Sequence, residues 1–342
     1  MSSPATPAPG GGDGGHRRVT VSAALREAVP ALVRAGVESA AHDARVLMAA
    51  ALEAERGSTV TPLDLVMHGA DAAPAAFAGL LERRIDREPL QWILGRAPVT
   101  GVDLAVAPGV FIPRPETDLL IDWVAGEAER RVARREHGLF SRLLEPSLTV
   151  VDLCSGPGTI ALGVAHELTL RGVPDKVSVR VVGLEITGEG VELARANARS
   201  WVEQGHVDPR IGVEFHSADV SGREDVIALG LVNSADIVAS NPPYVPESTE
   251  VSPEVARDPR AAVFSGDDGL ALMRPLAGVI DLVASTSAGI AVEHDDSTGQ
   301  AVHRLLADVG VTGLVQHRDM AGRDRFVTGQ VHRDPGHRPV RD

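Results

Sequence analysis

The residues best equipped for chemistry stand at 237–245, Ile-Val-Ala-Ser-Asn-Pro-Pro-Tyr-Val. An apolar run ends in Asn241, and Pro242, Pro243 and Tyr244 follow. A residue before proline is pushed to extended backbone, which holds Asn241 rigid. A proline offers its carbonyl with no competing N–H. The Asn241 side-chain oxygen and the Pro242 carbonyl can therefore accept both hydrogens of one planar –NH2 group. The Tyr244 ring can pack on the flat face of that group. The pattern is a receptor for an amide, aniline-type or nucleobase amino nitrogen.

A second constellation lies upstream. Val150-Val151-Asp152-Leu153-Cys154-Ser155-Gly156-Pro157-Gly158-Thr159 is an apolar strand ending in an acid, then a turn with two glycines that opens a helix. Such a turn lets a ligand approach the backbone, and the helix start offers free N–H groups. A phosphate-binding loop would need Gly-Lys-Ser/Thr, which is absent, and a dinucleotide fingerprint would want glycine where Ala161 stands. Val181-Val182-Gly183-Leu184-Glu185 is a further buried-type strand ending in a carboxylate. Glu185 there can accept from the two ribose hydroxyls of a nucleoside. Asp219, after the next strand, suits either an adenine amino group or a turn.

These residues need a scaffold. From 116 onward the pattern alternates: a helix at 116–135, a strand at 148–153, a helix at 159–171, strands at 177–184, 213–216, 236–240 and 289–293, with helices at 187–203, 270–284 and 298–308 between or after them. Alternation of this kind predicts an α/β domain with a mostly parallel sheet covered by helices on both faces. Residues 19–90 carry only helical periodicity: Val21, Leu25, Ala28 and Leu32, then Val46, Leu47 and Ala50, then Phe77, Leu80, Leu81 and Ile85. They predict a small helical bundle. Val99–Val106 alternates around a Gly turn, which suggests a β-hairpin, and Phe111-Ile112-Pro113-Arg114-Pro115 is stiffened by two prolines. The expected layout is a disordered tail at 1–18, a helical domain at 19–90, a hairpin linker at 91–115, a catalytic domain at 116–331 and a tail at 332–342. The basic run Arg130–Arg135 reads as a solvated helix C-terminus.

Composition narrows the class. With 44% hydrophobic and 23% charged residues the chain can bury a sizeable core. No run approaches the roughly 18 apolar residues of a membrane-spanning helix, and no export signal is visible, so a cytoplasmic location and no membrane partner are expected. A single cysteine, Cys154, excludes a disulfide framework and a Cys-based zinc site, and the histidines show no ligand spacing, so no metal is expected. The net charge of −14 argues against direct nucleic-acid binding. Lys176 is the only lysine among 33 basic residues, which reads as genome composition rather than function.

Taken together, the motifs resemble a Rossmann-like, S-adenosylmethionine-dependent methyltransferase acting on nitrogen. Further segments are similar to the release-factor glutamine methyltransferases of the HemK/PrmC family: Phe111-Ile112-Pro113-Arg114-Pro115-Glu116-Thr117, Arg83-Arg84 with Glu88-Pro89-Leu90-Gln91-Trp92-Ile93-Leu94-Gly95, Asp267-Asp268-Gly269-Leu270, Val292-Glu293-His294, and Arg318–Phe326. The resemblance spans roughly residues 20–330. It implies that Asp152, Cys154, Ser155, Gly156, Pro157 and Gly158 form the cofactor loop, that Glu185 holds the ribose, and that Asp219 and Val220 border the adenine. It implies that Asn241, Pro242, Pro243 and Tyr244 hold the substrate glutamine amide, with Asn241 also near the cofactor. Phe111, Pro113 and Arg114 would border the cleft, and the helical domain would help dock a class 1 peptide chain release factor, whose Gly-Gly-Gln loop inserts its Gln. The enzyme would act as a monomer.

An amide nitrogen is a poor nucleophile, so the expected device is alignment of nitrogen, methyl carbon and sulfur. Bonds to Asn241 and Pro242 would strengthen as positive charge develops on the nitrogen. The competing readings are a ribosomal-protein glutamine methyltransferase, a nucleic-acid amino (adenine-N6) methyltransferase, which would need a basic base-flipping surface, and a non-catalytic module. Glu293-His294-Asp295-Asp296 reads as a turn over the cleft rather than a metal site.

Overall fold

The computed structural model describes residues 19–136, 147–172 and 177–333. Residues 1–18, 137–146, 173–176 and 334–342 lie outside that set, and with them the expected N-terminal tail and most of the C-terminal tail. The chain divides into two compact units between Ile93 and Leu94.

The smaller unit is helical. It holds α1 (Val21–Arg34), α2 (Ala40–Arg56), α3 (Pro62–Met67) and α4 (Ala76–Ile85); α5 (Leu90–Leu94) ends at the boundary. The Thr20 hydroxyl accepts the Ala23 N–H at 3.2 Å and caps α1. Thr61 and Asp64 form a reciprocal capping box on α3. The apolar faces of α1 and α2 meet through Ala28, Leu32, Ala44, Leu47 and Met48, all fully buried. A buried ion pair crosses this core: Arg84 Nε donates to Asp43 Oδ2 at 2.7 Å, and its Nη1 donates to the Glu88 carbonyl at 3.0 Å. The Arg-Arg dipeptide of the sequence thus splits, with Arg84 inside and Arg83 outside on the Glu88 carboxylate.

The larger unit begins with a hairpin, β1 (Arg96–Val99) and β2 (Val102–Ala105), and continues through α6 (Thr117–Glu136), β3 (Ser147–Leu153), α7 (Thr159–Arg171), β4 (Ser178–Glu185), α8 (Gly188–Glu203), β5 (Ile211–Ser217), α9 (Glu224–Ala228) and β6 (Ala235–Ser240). A 3₁₀ turn at Val255–Arg257 and α10 (Arg260–Val263) precede α11 (Met273–Val283), β7 (Ala284–Glu293), α12 (Gly299–Asp308), β8 (Val311–Arg318) and β9 (Asp324–Val331). Among the described residues, seven strands form one sheet in the order β5-β4-β3-β6-β7-β9-β8. The first five run parallel, and β9 and β8 pair antiparallel at the edge. Sequence periodicity does not mark β8 or β9: β8 shows several exposed positions on an edge, so its apolar signal is diluted.

Alternate residues of the central strands serve opposite faces. Val150, Val181 and Ile237 pack under α6, α7 and α8. Val151, Val182 and Val238 pack under α9, α11 and α12. The hairpin belongs to the first of these cores through Val99 and Leu104. It is also pinned to α8: the Asn197 side chain exchanges two bonds with the Ala105 backbone, each 3.1 Å, and donates to the Pro157 carbonyl at 2.9 Å.

The register sets up the site. Leu184, Leu153, Ser240 and Val292 are cross-strand partners in sequence along four adjacent parallel strands. The next residue of each strand, Glu185, Cys154, Asn241 and Glu293, therefore emerges at the same sheet edge, at intervals of about 4.8 Å. This is the carboxyl end of the parallel strands, at the point where the order turns from β3-β4 to β3-β6, where open α/β sheets bind ligands.

The basic run at the end of α6 is solvated only in part: Arg130 and Arg134 are exposed. Arg131 is buried against Glu127, with Nε to Oε1 at 2.7 Å, and Arg135 reaches Asp236 at 2.9 Å and the Ser147 carbonyl. Arg131 thus pairs within its own helix at i,i+4, while Arg135 reaches an acid on β6, which residue spacing alone does not reveal.

Candidate active site

A cavity of about 480 Å³ opens at that sheet edge, within the range of roughly 300–1,000 Å³ usual for small-molecule sites. Of the residues expected at the site, Phe111, Pro113, Cys154, Ser155, Gly156, Glu185, Asp219, Val220, Asn241 and Pro243 line it. Asp152, Pro157, Gly158, Arg114, Pro242 and Tyr244 are not among the residues that line it.

Asp152 works beneath the loop. Its Oδ2 accepts from Ser155 Oγ at 2.6 Å and from the Ala161 N–H at 3.1 Å, tying the end of β3 to the first turn of α7. Oδ1 is buried with no partner among the described residues. Burial, reinforced by nearby Glu185, pushes the carboxyl up to about 7 against these hydrogen bonds. Cys154 has a left-handed backbone, φ 65°. Burial and then the Glu185 and Asp152 carboxylates push its thiol well above the usual range, so it is not a nucleophile. Gly158 caps α7 with φ 94°, and a Cβ there would come within 2.9 Å of the Phe215 ring.

Glu185 already has three donors. Oε2 accepts the Gly156 N–H at 3.0 Å, and Oε1 accepts the Thr187 N–H at 2.9 Å and the Thr187 hydroxyl at 2.8 Å. A carboxylate offers about four acceptor directions, so one remains, on Oε2. The Thr187 hydroxyl thus stands where a second hydroxyl donor would go. Asp219 has taken up a turn: Oδ1 accepts the Ser221 N–H at 2.8 Å. The hydroxyl and N–H of Ser221 hold this exposed carboxyl below its usual range, leaving it charged.

Asn241 is held by its neighbours. Its Nδ2 donates to Thr117 Oγ1 at 3.2 Å, and Thr117 Oγ1 donates to Glu293 Oε2 at 2.9 Å. The Tyr244 hydroxyl donates to Glu293 Oε1 at 3.2 Å. Tyr244 is thereby turned into the protein, and its burial beside Glu293 pushes the phenol far up, so it stays neutral. Glu293 is buried, and burial pushes it up to about 7. His294 is buried on its own side, with Nδ1 against the Asp295 carbonyl and Nε2 against Gln316 at 2.9 Å. The Glu-His pair is therefore internal, not a turn over the cleft. Strand alternation carries the two side chains to different neighbours.

Two segments wall the cavity. Val245 pairs with Phe264, through the Val245 N–H on the Val263 carbonyl and the Ser265 N–H on the Val245 carbonyl, both 2.9 Å. Gly269, φ 73°, lies so close to the Tyr244 backbone that a Cβ would meet its carbonyl oxygen at 2.3 Å. This gives the Asp-Asp-Gly-Leu segment a packing reason. Arg114 forms an ion pair with the buried Asp258 and lies 5.0 Å over the Phe111 ring. It joins the wall at 111–113 to the wall at 258–266. Thr117, although it closes the Phe111–Thr117 segment, was given no role by the sequence, and Asp258 carries no local signature. Their partners stand 124 and 144 residues away. Among the described residues no group of three or more His, Cys, Asp or Glu is placed to hold a metal, and no helix is long and apolar enough to cross a membrane.

The residues present fit a nucleoside with a cationic tail. Gly156 shows the cavity an open side, a Cβ there meeting nothing nearer than Phe111 at 4.0 Å. Glu185 and Asp219 supply carboxylates, Leu184, Ile186 and Val220 supply apolar surface, and Asp152 keeps an unpartnered acceptor beneath the loop.

Comparison with known proteins agrees. Residues 23–95 match the family described as PrmC N-terminal domain. A release factor glutamine methyltransferase of Corynebacterium glutamicum is 37% identical over 317 residues, covering 91% of this chain and 99% of that protein. Proteins of the same name from Mycolicibacterium smegmatis and Mycobacterium tuberculosis are 35% and 31% identical, over 89% and 94% of this chain and 95% and 94% of theirs. By motif, sheet order and identity along its length, the chain belongs to the release factor glutamine methyltransferase family.

Proposed function

We propose that this protein transfers a methyl group from S-adenosylmethionine to the side-chain amide nitrogen of the glutamine in the Gly-Gly-Gln segment of a peptide chain release factor. The observation that carries the reading is the placement of Asn241 in the same cavity as Gly156 and Glu185, with its NH2 engaged by Thr117. The side-chain oxygen is left for a donor, which suits the –NH2 of a glutamine amide. When bound, S-adenosylmethionine supplies an electrophilic methyl on a sulfonium.

The chain's own residues bind and orient. Gly156, Glu185, Asp219 and Val220 would hold the nucleoside. Asn241 Oδ1 and the Pro242 carbonyl would accept the two amide hydrogens, fix the nitrogen lone pair toward the methyl and stabilise positive charge developing on nitrogen. Phe111, Pro113 and Phe264 would keep water from the reacting atoms. We place the proton's exit at a backbone carbonyl or water, since Tyr244 stays neutral and Cys154 stays a thiol. The helical unit would help dock the release factor, in the cytoplasm, with the enzyme as a monomer.

The test is incubation with S-adenosylmethionine and a purified bacterial release factor, followed by peptide mass spectrometry. A single added methyl on the Gly-Gly-Gln glutamine is expected. Transfer only to a ribosomal protein or to DNA would keep the site and overturn the substrate.

A further inference from the structure

We propose that Thr117 and Glu293 are positioning residues that fix the direction of the Asn241 amide, and that the charge on Glu293 decides whether its oxygen or its NH2 faces the substrate. The proposal deepens the function proposed above and rests on it.

The argument is a count of protons. An ionised carboxylate only accepts. Thr117 Oγ1, 2.9 Å from Glu293 Oε2, must therefore give its one proton to Glu293. Its lone pair is left for Asn241, 3.2 Å away, so the Asn241 group facing it must be the NH2. The Asn241 oxygen then points the other way, and no partner takes it among the described residues. The second carboxylate oxygen is closed by the Tyr244 hydroxyl at 3.2 Å, so Glu293 has a donor on each side and the chain runs in one direction.

Protonating Glu293 removes that direction. A carboxylic acid can donate to Thr117 Oγ1, Thr117 can then donate to Asn241, and the amide turns over. Its NH2 would face the –NH2 of the substrate, two donors head to head. Groups from each neighbouring element act on Glu293. Thr117 and Glu116 face it from the start of α6, the first donating and the second repelling. Tyr244 donates from the segment after β6. Arg325 attracts it from β9, while itself paired with Asp319 at 2.9 Å. Burial outweighs these and brings the group to about 7, so both states are accessible near neutral pH.

The experiment measures methyl transfer to a purified release factor between pH 5.5 and 9 for the wild type, Thr117→Val, Thr117→Ser and Glu293→Gln, with S-adenosylmethionine affinity by calorimetry for each. Thr117→Val keeps the shape and loses the acceptor. It should lower kcat at least tenfold with cofactor affinity within twofold. Thr117→Ser, which keeps the hydroxyl, should stay within threefold of the wild type. The wild type should lose kcat as pH falls through about 7, and Glu293→Gln should lack that fall, because its neutral carbonyl still accepts from Thr117 at every pH. A merely structural role would lower the Gln variant's rate and leave the fall in place. Wild-type kcat in Thr117→Val, or an unchanged acid limb in Glu293→Gln, overturns the proposal. If Thr117→Val does not fold, the pH profile of Glu293→Gln decides. A wild type inert toward the release factor would instead sink the proposed function.

Discussion

Glu185 accepts the backbone N–H of Gly156 at 3.0 Å, so the carboxylate at the end of β4 also shapes the loop that follows β3. Removing it has two consequences at once. Glu185→Ala should weaken S-adenosylmethionine binding about 10- to 100-fold, the value of a hydrogen bond to a charged group, and loosen the loop. Calorimetric titration reads the first, and hydrogen exchange at Gly156 the second. Unchanged affinity would remove Glu185 from the cofactor site.

In the proposed function Asn241 acts on the substrate rather than on the fold. Asn241→Ala should lower kcat on the order of 100- to 1,000-fold, the usual loss for one polar group that stabilises developing charge, with the melting temperature close to that of the wild type. Steady-state kinetics with the release factor checks this. A loss confined to KM would mean that Asn241 only binds.

Gly158 has no room for a side chain. Its φ of 94° and the Phe215 ring 2.9 Å from a built Cβ predict that Gly158→Ala costs about 1–3 kcal/mol in stability. Part of the loss should return in Gly158→Ala/Phe215→Leu, where the ring is gone. A denaturant titration of the single and double variants measures both.

The buried pair Arg84–Asp43 stabilises the helical unit only as a pair. Asp43→Ala should cost about 3–5 kcal/mol, because Arg84 is left charged and buried, while an apolar double replacement should cost less. Thermal melts followed by circular dichroism compare them.

Stability should also depend on pH. Asp152 and Glu293 both sit near 7 in the folded protein, above their ordinary values of 3.8 and 4.5. A raised carboxyl favours the folded state while protonated. Its contribution is complete below the unfolded value and is lost as pH rises through about 7. Melting temperature should therefore fall from pH 5 to pH 8, and Glu293→Gln should flatten that slope. If the proposed direction of the Asn241 amide holds, the form with Glu293 ionised is both the active and the less stable one.

The sequence alone determined what is local. Asn241 before Pro242, the glycines of the loop after Asp152, Glu185 at a strand end and the alternating pattern from 116 onward all declare themselves through backbone rules that act over a few residues. They led to the α/β domain, the helical unit and the motifs of a nitrogen methyltransferase. Tertiary structure decided what depends on register and reach. Leu184, Leu153, Ser240 and Val292 had to be paired before Glu185, Asn241 and Glu293 could come to one sheet edge. Thr117 meets Glu293 across 176 residues, and Arg135 meets Asp236 across 101. Asp219 chose its own turn, and Tyr244 turned inward to a carboxylate that its own segment does not contain. Strand β8 escaped detection because an exposed edge strand has little apolar contrast. Local chemistry is written in residue types, but which donor meets which acceptor is set only once strands pair and helices cover them.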